Sequence, residues 1–122
     1  MIKNFLLVAL GGALGSVLRY LFSLLIKHNY LPLSTFAVNI IGSFFIGLVM
    51  GYASNHHEGF GEWRLFLATG ICGGFTTFSS FSWENINLME HGRYAVASLY
   101  IGGTLLLGFT ATVFGYWITR FL

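Results

Sequence analysis

Apolar residues fill this chain in four long blocks, at about 4–27, 34–54, 63–88 and 94–120, with three short polar interruptions between them. A membrane-crossing helix needs about 20 mostly apolar residues, so each block is long enough to be one. His28-Asn29-Tyr30-Leu31-Pro32 ends the first block and carries the only proline. The stretch from Ser54 to Glu62 is the one clearly polar loop, and Glu90-His91-Gly92-Arg93 makes a tight third turn. The start, Lys3 followed by Phe5-Leu6-Leu7-Val8-Ala9-Leu10, looks like a signal peptide. The apolar run continues to Ile26, however, which is long for such a segment, and it reads as a retained first helix. The pattern predicts an all-α integral membrane protein with four transmembrane helices and both termini on one side.

The third block departs from a plain lipid-facing helix. Residues 70 to 84 combine the adjacent Gly73 and Gly74, the hydroxyls Thr76, Thr77, Ser79 and Ser80, and Phe75, Phe78 and Phe81 spaced three apart. Glycine weakens a helix by about 1 kcal/mol against alanine. Thr and Ser side chains bond nearby backbone and favour turns. The pattern predicts a third helix broken near its middle, at 73–77, with a second half-helix from about Phe78 to Leu88. Broken backbone at membrane depth survives only where protein or water satisfies it. Such a break frees carbonyls that suit a cation and creates a half-helix N-terminus that suits an anion. Phe78, Phe81, Ser82 and Asn85 then share one face of the second half. Two readings of the rings stand: core packing, or ring edges of partial positive charge turned to a small anion.

Composition narrows the function classes. Of 122 residues, 56% are hydrophobic and 8% charged, where a soluble domain carries about 25% charged residues. Net charge is +2, from six Lys and Arg against four Glu, with no Asp, and no basic cluster suggests nucleic acid. Cys72 is the single cysteine and reads as a small core residue; it cannot form an intrachain disulfide. His56-His57 lacks a third metal ligand and reads as solvated loop. The spans hold no paired carboxylates and no Ser-His-acid order, so no enzyme is expected.

Lys3, Arg64 and Arg120 fall on the side of the termini, and Lys27 and Arg93 on the other. So even a distribution gives little orientation signal. It fits insertion in both orientations and an antiparallel two-fold pair, and it also fits one weakly biased orientation. Gly11-Gly12-x-x-Gly15, Gly47-x-x-x-Gly51 and Gly70-x-x-x-Gly74 are small-residue faces that let helices approach closely in lipid.

Three further polar features lie within the spans. Arg19 would cost about 2.5–3.5 kcal/mol at the bilayer centre, so it is either a structural clamp near an interface or an electropositive vestibule residue. Asn39 is either interhelical glue or a donor aimed at a passing anion. In the fourth span Tyr100, Thr104, Gly108 and Thr112 recur at fours, and the hydroxyls of the three that carry one bond either their own helix or something in a conduit.

Taken together, Gly11-Gly12-x-x-Gly15-x-x-x-Arg19-Tyr20, Ser34-Thr35-Phe36-x-Val38-Asn39-x-x-Gly42-Ser43-Phe44 and Gly70-x-x-Gly73-Gly74-Phe75-Thr76-Thr77-Phe78-Ser79-x-Phe81-Ser82-x-Glu84 resemble the bacterial fluoride exporters called Fluc or CrcB. The resemblance covers nearly the whole chain, and the third motif is the most specific. It implies an antiparallel dual-topology homodimer in the bacterial inner (plasma) membrane, conducting fluoride passively out of the cytoplasm through two pores. It also implies one central structural sodium ion, held by the backbone carbonyls of Gly73 and Thr76 from each subunit. By the same resemblance, Asn39, Phe78, Phe81, Ser79, Tyr100, Thr104 and Thr112 line the pore, with Ser80 standing where relatives often have Thr. Arg19 and Glu84 belong to the vestibule. Gly108 departs from the pattern, since a hydroxyl residue is expected there; a water or a neighbouring hydroxyl would have to compensate.

Two rivals remain. A small four-helix proton-coupled multidrug transporter needs an acidic residue in its first span, but the first acidic residue here is Glu58. An accessory membrane subunit does not account for Asn39 together with the 73–84 segment.

Overall fold

A computed structural model describes the chain except for His28, Asn29 and His57. Part of the turn expected at 28–32 and half of the His56-His57 pair therefore lie outside the described residues. Helix α1 spans Ile2–Leu25 and α2 spans Leu33–Asn55. Helix α3 covers residues 61–75 and winds unevenly, as a short α segment Gly61–Arg64, a wide π-helical segment Leu65–Cys72 and an α turn Gly73–Phe75. Helix α4 spans Phe78–Glu90 and α5 spans Tyr94–Ile118, closed by a 3-10 turn at Thr119–Phe121. Ile2–Leu25, Leu33–Asn55, Gly61–Glu90 and Tyr94–Phe121 are each long and apolar enough to cross a membrane. The protein is an all-helical, multi-pass membrane protein.

The helices associate in two tight pairs, α1 on α3 and α2 on α5. Glycine makes both possible. A Cβ on Gly11 would lie 2.5 Å from the Phe66 carbonyl oxygen and 2.9 Å from the Gly70 Cα. One on Gly15 would press on the Ile71 carbonyl and lie 2.7 Å from the Phe75 nitrogen. Across the second seam, Gly47 meets the Thr112 carbonyl and Gly115 meets the Phe44 carbonyl. Lipid supplies no hydrophobic drive between helices, so such close backbone approach is what holds the pairs.

Few residues are buried beyond these seams. In α1 the buried positions are Gly11 and Gly15. A cluster of Phe81, Leu88, Ala97 and Tyr100 fixes α4 against α5. The turn between them is a Schellman motif: Arg93 N–H bonds Leu88 O at 2.8 Å and Gly92 N–H bonds Met89 O at 2.9 Å. Gly92 takes φ 72°, the left-handed conformation that this turn requires.

Candidate functional site

The third span is interrupted more narrowly than the 73–77 expected. Gly73 and Gly74 are helical, and Thr76 (φ −77°, ψ 156°) and Thr77 (φ −150°, ψ 118°) are the extended residues. At Gly74 the missing side chain serves approach rather than unwinding: a Cβ there would collide with the Gly12 backbone of α1. The chain leaves the helix at the two threonines because the main-chain groups of Thr77 are bonded elsewhere. Thr76 N–H still makes the helical bond to Cys72 O, four residues back, at 2.9 Å, and Thr76 Oγ1 donates to the same oxygen at 2.9 Å. Thr77 N–H donates to Asn39 Oδ1 at 2.8 Å, and Asn39 Nδ2 donates to Thr77 O at 3.0 Å. The Asn39 side chain thus pairs with Thr77 as a neighbouring strand would. Thr77 then caps α4, its Oγ1 accepting the Ser80 N–H at 3.2 Å. The hydroxyls of Ser79 and Ser80 lie 3.3 and 3.2 Å from the same oxygen.

Beside this break lies a cavity of ≈ 300 Å³ between α2, α3, α4 and α5, whose walls include Asn39, Ser43, Thr76, Thr77, Phe78, Phe81 and Thr104. Among the described residues no charged side chain lines it. Phe81 is buried, against Phe78 (centroids 5.9 Å apart, planes at 41°) and Tyr100 (5.0 Å, 57°). Phe78 by contrast is 78% exposed. The face predicted to carry Phe78, Phe81, Ser82 and Asn85 therefore divides: Phe81 and Asn85 turn inward, and Ser82 donates to the Phe78 carbonyl at 2.9 Å.

The hydroxyl stripe of the fourth span is not uniform. Tyr100 Oη donates to Glu84 Oε2 at 2.8 Å, and Thr112 Oγ1 donates to Gly108 O at 3.1 Å. Thr104 Oγ1 is buried and has no partner among the described residues. Of the three, Thr104 alone borders the cavity. At Gly108, where a hydroxyl is expected from the resemblance, Ser43 Oγ lies 3.6 Å from the position a Cβ would take. The hydroxyl at that level comes from α2.

On the other side of Thr77 a second depression of ≈ 360 Å³ is walled by Ser16, Arg19, Ser34, Thr35, Thr77, Ser80 and Glu84, among others. Glu84 accepts from Thr35 Oγ1 at 2.6 Å as well as from Tyr100, so it ties α2, α4 and α5 together. No ion pair joins it to Arg19 among the described residues. Thr77 is the wall common to both hollows. Of the residues expected to act together, Asn39, Phe78, Phe81 and Thr104 share the first hollow with Gly73 and Thr76, while Arg19, Glu84 and Ser80 share the second. Ser79 is exposed on the first turn of α4, and Thr112 lies outside both.

Sequence reasoning named Thr77 only as a hydroxyl of the break, and Thr35 and Ser43 only within a motif, and gave none of the three a role in the site. Thr77 was legible as the first residue of Thr77-x-x-Ser80, a helix-capping spacing. Thr35 and Ser43 stand one turn before and one turn after Asn39 on the same face of α2.

The sequence profile of the family described as CrcB-like protein, Camphor Resistance (CrcB), matches residues 6–116. The chain is 44% identical over 124 aligned residues to a protein of Azobacteroides pseudotrichonymphae genomovar. CFP2, covering 99% of each. It is 46% identical to one from Chlorobium phaeobacteroides, over 98% of this chain and 94% of the relative. It is 48% identical to one from Thermus thermophilus, over 93% of each. All three relatives carry the name fluoride-specific ion channel FluC.

Proposed function

This chain belongs to the CrcB-like protein family, and from that premise we propose that it is a fluoride-specific ion channel. It lets fluoride leave the cytoplasm passively across the bacterial inner membrane and so lowers its toxicity. The observation that carries this reading is the uncharged mid-span cavity where Asn39, Phe81 and the unpartnered Thr104 hydroxyl converge. A small anion entering it exchanges water for the Thr104 O–H, the Asn39 N–H not used on Thr77, and phenylalanine ring edges. None of these is cationic, which suits a conduit that must bind weakly enough to release.

The functional unit is an antiparallel dual-topology homodimer with two pores. The single chain exposes 8034 Å² at 13.5 kDa, where a compact monomer of that mass exposes about 6,500 Å². Gly73 and Phe78 are part of that exposed surface. A second, inverted copy covering it agrees with the nearly balanced Lys and Arg distribution. Gly73 and Thr76 suit a sodium ion at the two-fold axis. They stand at the C-terminal end of α3, where unwound carbonyls at membrane depth suit such an ion. A Cβ at Gly73 would meet nothing closer than Ala68 O at 3.8 Å, so its flank is open. Two carbonyls from each of two subunits would hold the ion, whose fixed positive charge would lie near both paths.

Reconstituted into liposomes and loaded with fluoride, the protein should release it electrogenically and without a proton gradient, as read by a fluoride electrode. Absence of release from assembled protein, or release only when a proton gradient drives it, overturns the channel reading. Within the fourth span the hydroxyls should separate. Thr104→Val should lower efflux about tenfold, because it removes a donor with no partner among the described residues. Thr112→Val should change efflux less than about twofold, because its hydroxyl is spent on Gly108. Equal effects would mean that the stripe acts as one track.

A further inference from the structure

In an unbroken helix the Thr77 N–H would bond the carbonyl four residues back, at Gly73. Here that N–H is held by Asn39 Oδ1 at 2.8 Å, while Asn39 Nδ2 holds the Thr77 carbonyl at 3.0 Å. The neighbouring Thr76 N–H and hydroxyl both go to Cys72 O, so neither turns to Gly73. Thr77 is 8% exposed, and a buried N–H does not stay unpaired. Without Asn39 its nearest acceptor along the chain is the Gly73 carbonyl, and taking it would extend α3 by a turn through the break. We infer that Asn39 is a positioning residue for the carbonyl site: by taking both main-chain groups of Thr77 it keeps the Gly73 carbonyl unoccupied and the break extended.

This role is separate from donating to an anion, because both bonds to Thr77 use the side chain's inward edge and leave one N–H over. It explains why an amide stands at this position, since no hydroxyl offers a donor and an acceptor at that separation. It also couples the two halves of the site. The residue that borders the anion cavity sets the geometry of the carbonyls of the break.

The inference rests on the sodium reading above, and its test reads sodium rather than fluoride. Thermal unfolding of the purified protein is followed as sodium chloride replaces N-methylglucamine chloride. Sodium that binds the folded state should raise the melting temperature of the natural protein. Asn39→Ala should need about tenfold more sodium for the same shift, or show none. Asn39→Asp keeps the acceptor for the Thr77 N–H but sets a carboxylate oxygen against the Thr77 carbonyl, so it should need about threefold to tenfold more sodium. An alanine variant that responds like the natural protein overturns the inference. Should Asn39→Ala not yield folded protein, Asn39→Asp carries the test alone, and a response equal to the natural protein's overturns the inference. A natural protein indifferent to sodium overturns the cation reading and the inference with it. A responding natural protein matched by its alanine variant overturns the inference only.

Discussion

Phe81→Ile is expected to cut fluoride efflux about thirtyfold or more while leaving the protein folded and assembled. Isoleucine keeps most of the apolar volume between Phe78 and Tyr100, so the loss of stability should be about 1–2 kcal/mol. What it removes is the ring, which lines the cavity and whose partially positive edge suits an anion there. A loss of about thirtyfold corresponds to about 2 kcal/mol of lost stabilisation of the anion in the pore. Efflux from proteoliposomes, with gel filtration as the check on assembly, measures both parts. Unchanged efflux would reduce Phe81 to packing, and loss of assembly would place its role in the α4–α5 contact instead. Phe78 is mostly exposed on the single chain.

The largest effect on folding should come from Gly15→Val. The new Cβ would meet the Ile71 carbonyl, the Phe75 nitrogen at 2.7 Å and the Gly74 carbonyl carbon at 3.0 Å. All three are main chain, so no flexible side chain can yield. Helices α1 and α3 would have to separate along the whole Gly11–Gly15 and Gly70–Gly74 seam. A loss of about 3–4 kcal/mol, enough to abolish monodisperse protein, follows from such overpacking. Gly12→Ala is the contrast, since nothing lies within 4 Å of its Cβ position. It should express and melt like the natural protein. Equal damage from both would mean that these glycines matter for something other than close approach.

These two cases also mark how far the chain can be read in advance. The four spans follow from apolar length, because lipid forces every backbone group to be satisfied within a helix. The glycine seams follow from spacing, because residues four apart share a face. The residues at the break are legible as a set, but their assignments are not. Gly73 and Gly74 suggest unwinding, yet helix continues through them because Gly74 is needed against Gly12. The resemblance puts Tyr100 in the pore and Glu84 in the vestibule, and the two bond each other across two helices. Thr35 closes on the other oxygen of Glu84.

Apolar length, hydropathy and the local chemistry of glycine and hydroxyls are enough to establish a four-span membrane protein. They also establish a broken third helix, with uncharged polar groups and aromatic rings at mid-span. Which hydroxyl is free, which carbonyl is released and what Asn39 does are matters of helix packing. Each depends on a partner from another helix: Glu84 for Tyr100, Asn39 for Thr77, Ser43 for the gap at Gly108. A hydrogen bond has a direction and a single proton, and which acceptor takes it is settled by distances between helices that no spacing along one helix encodes.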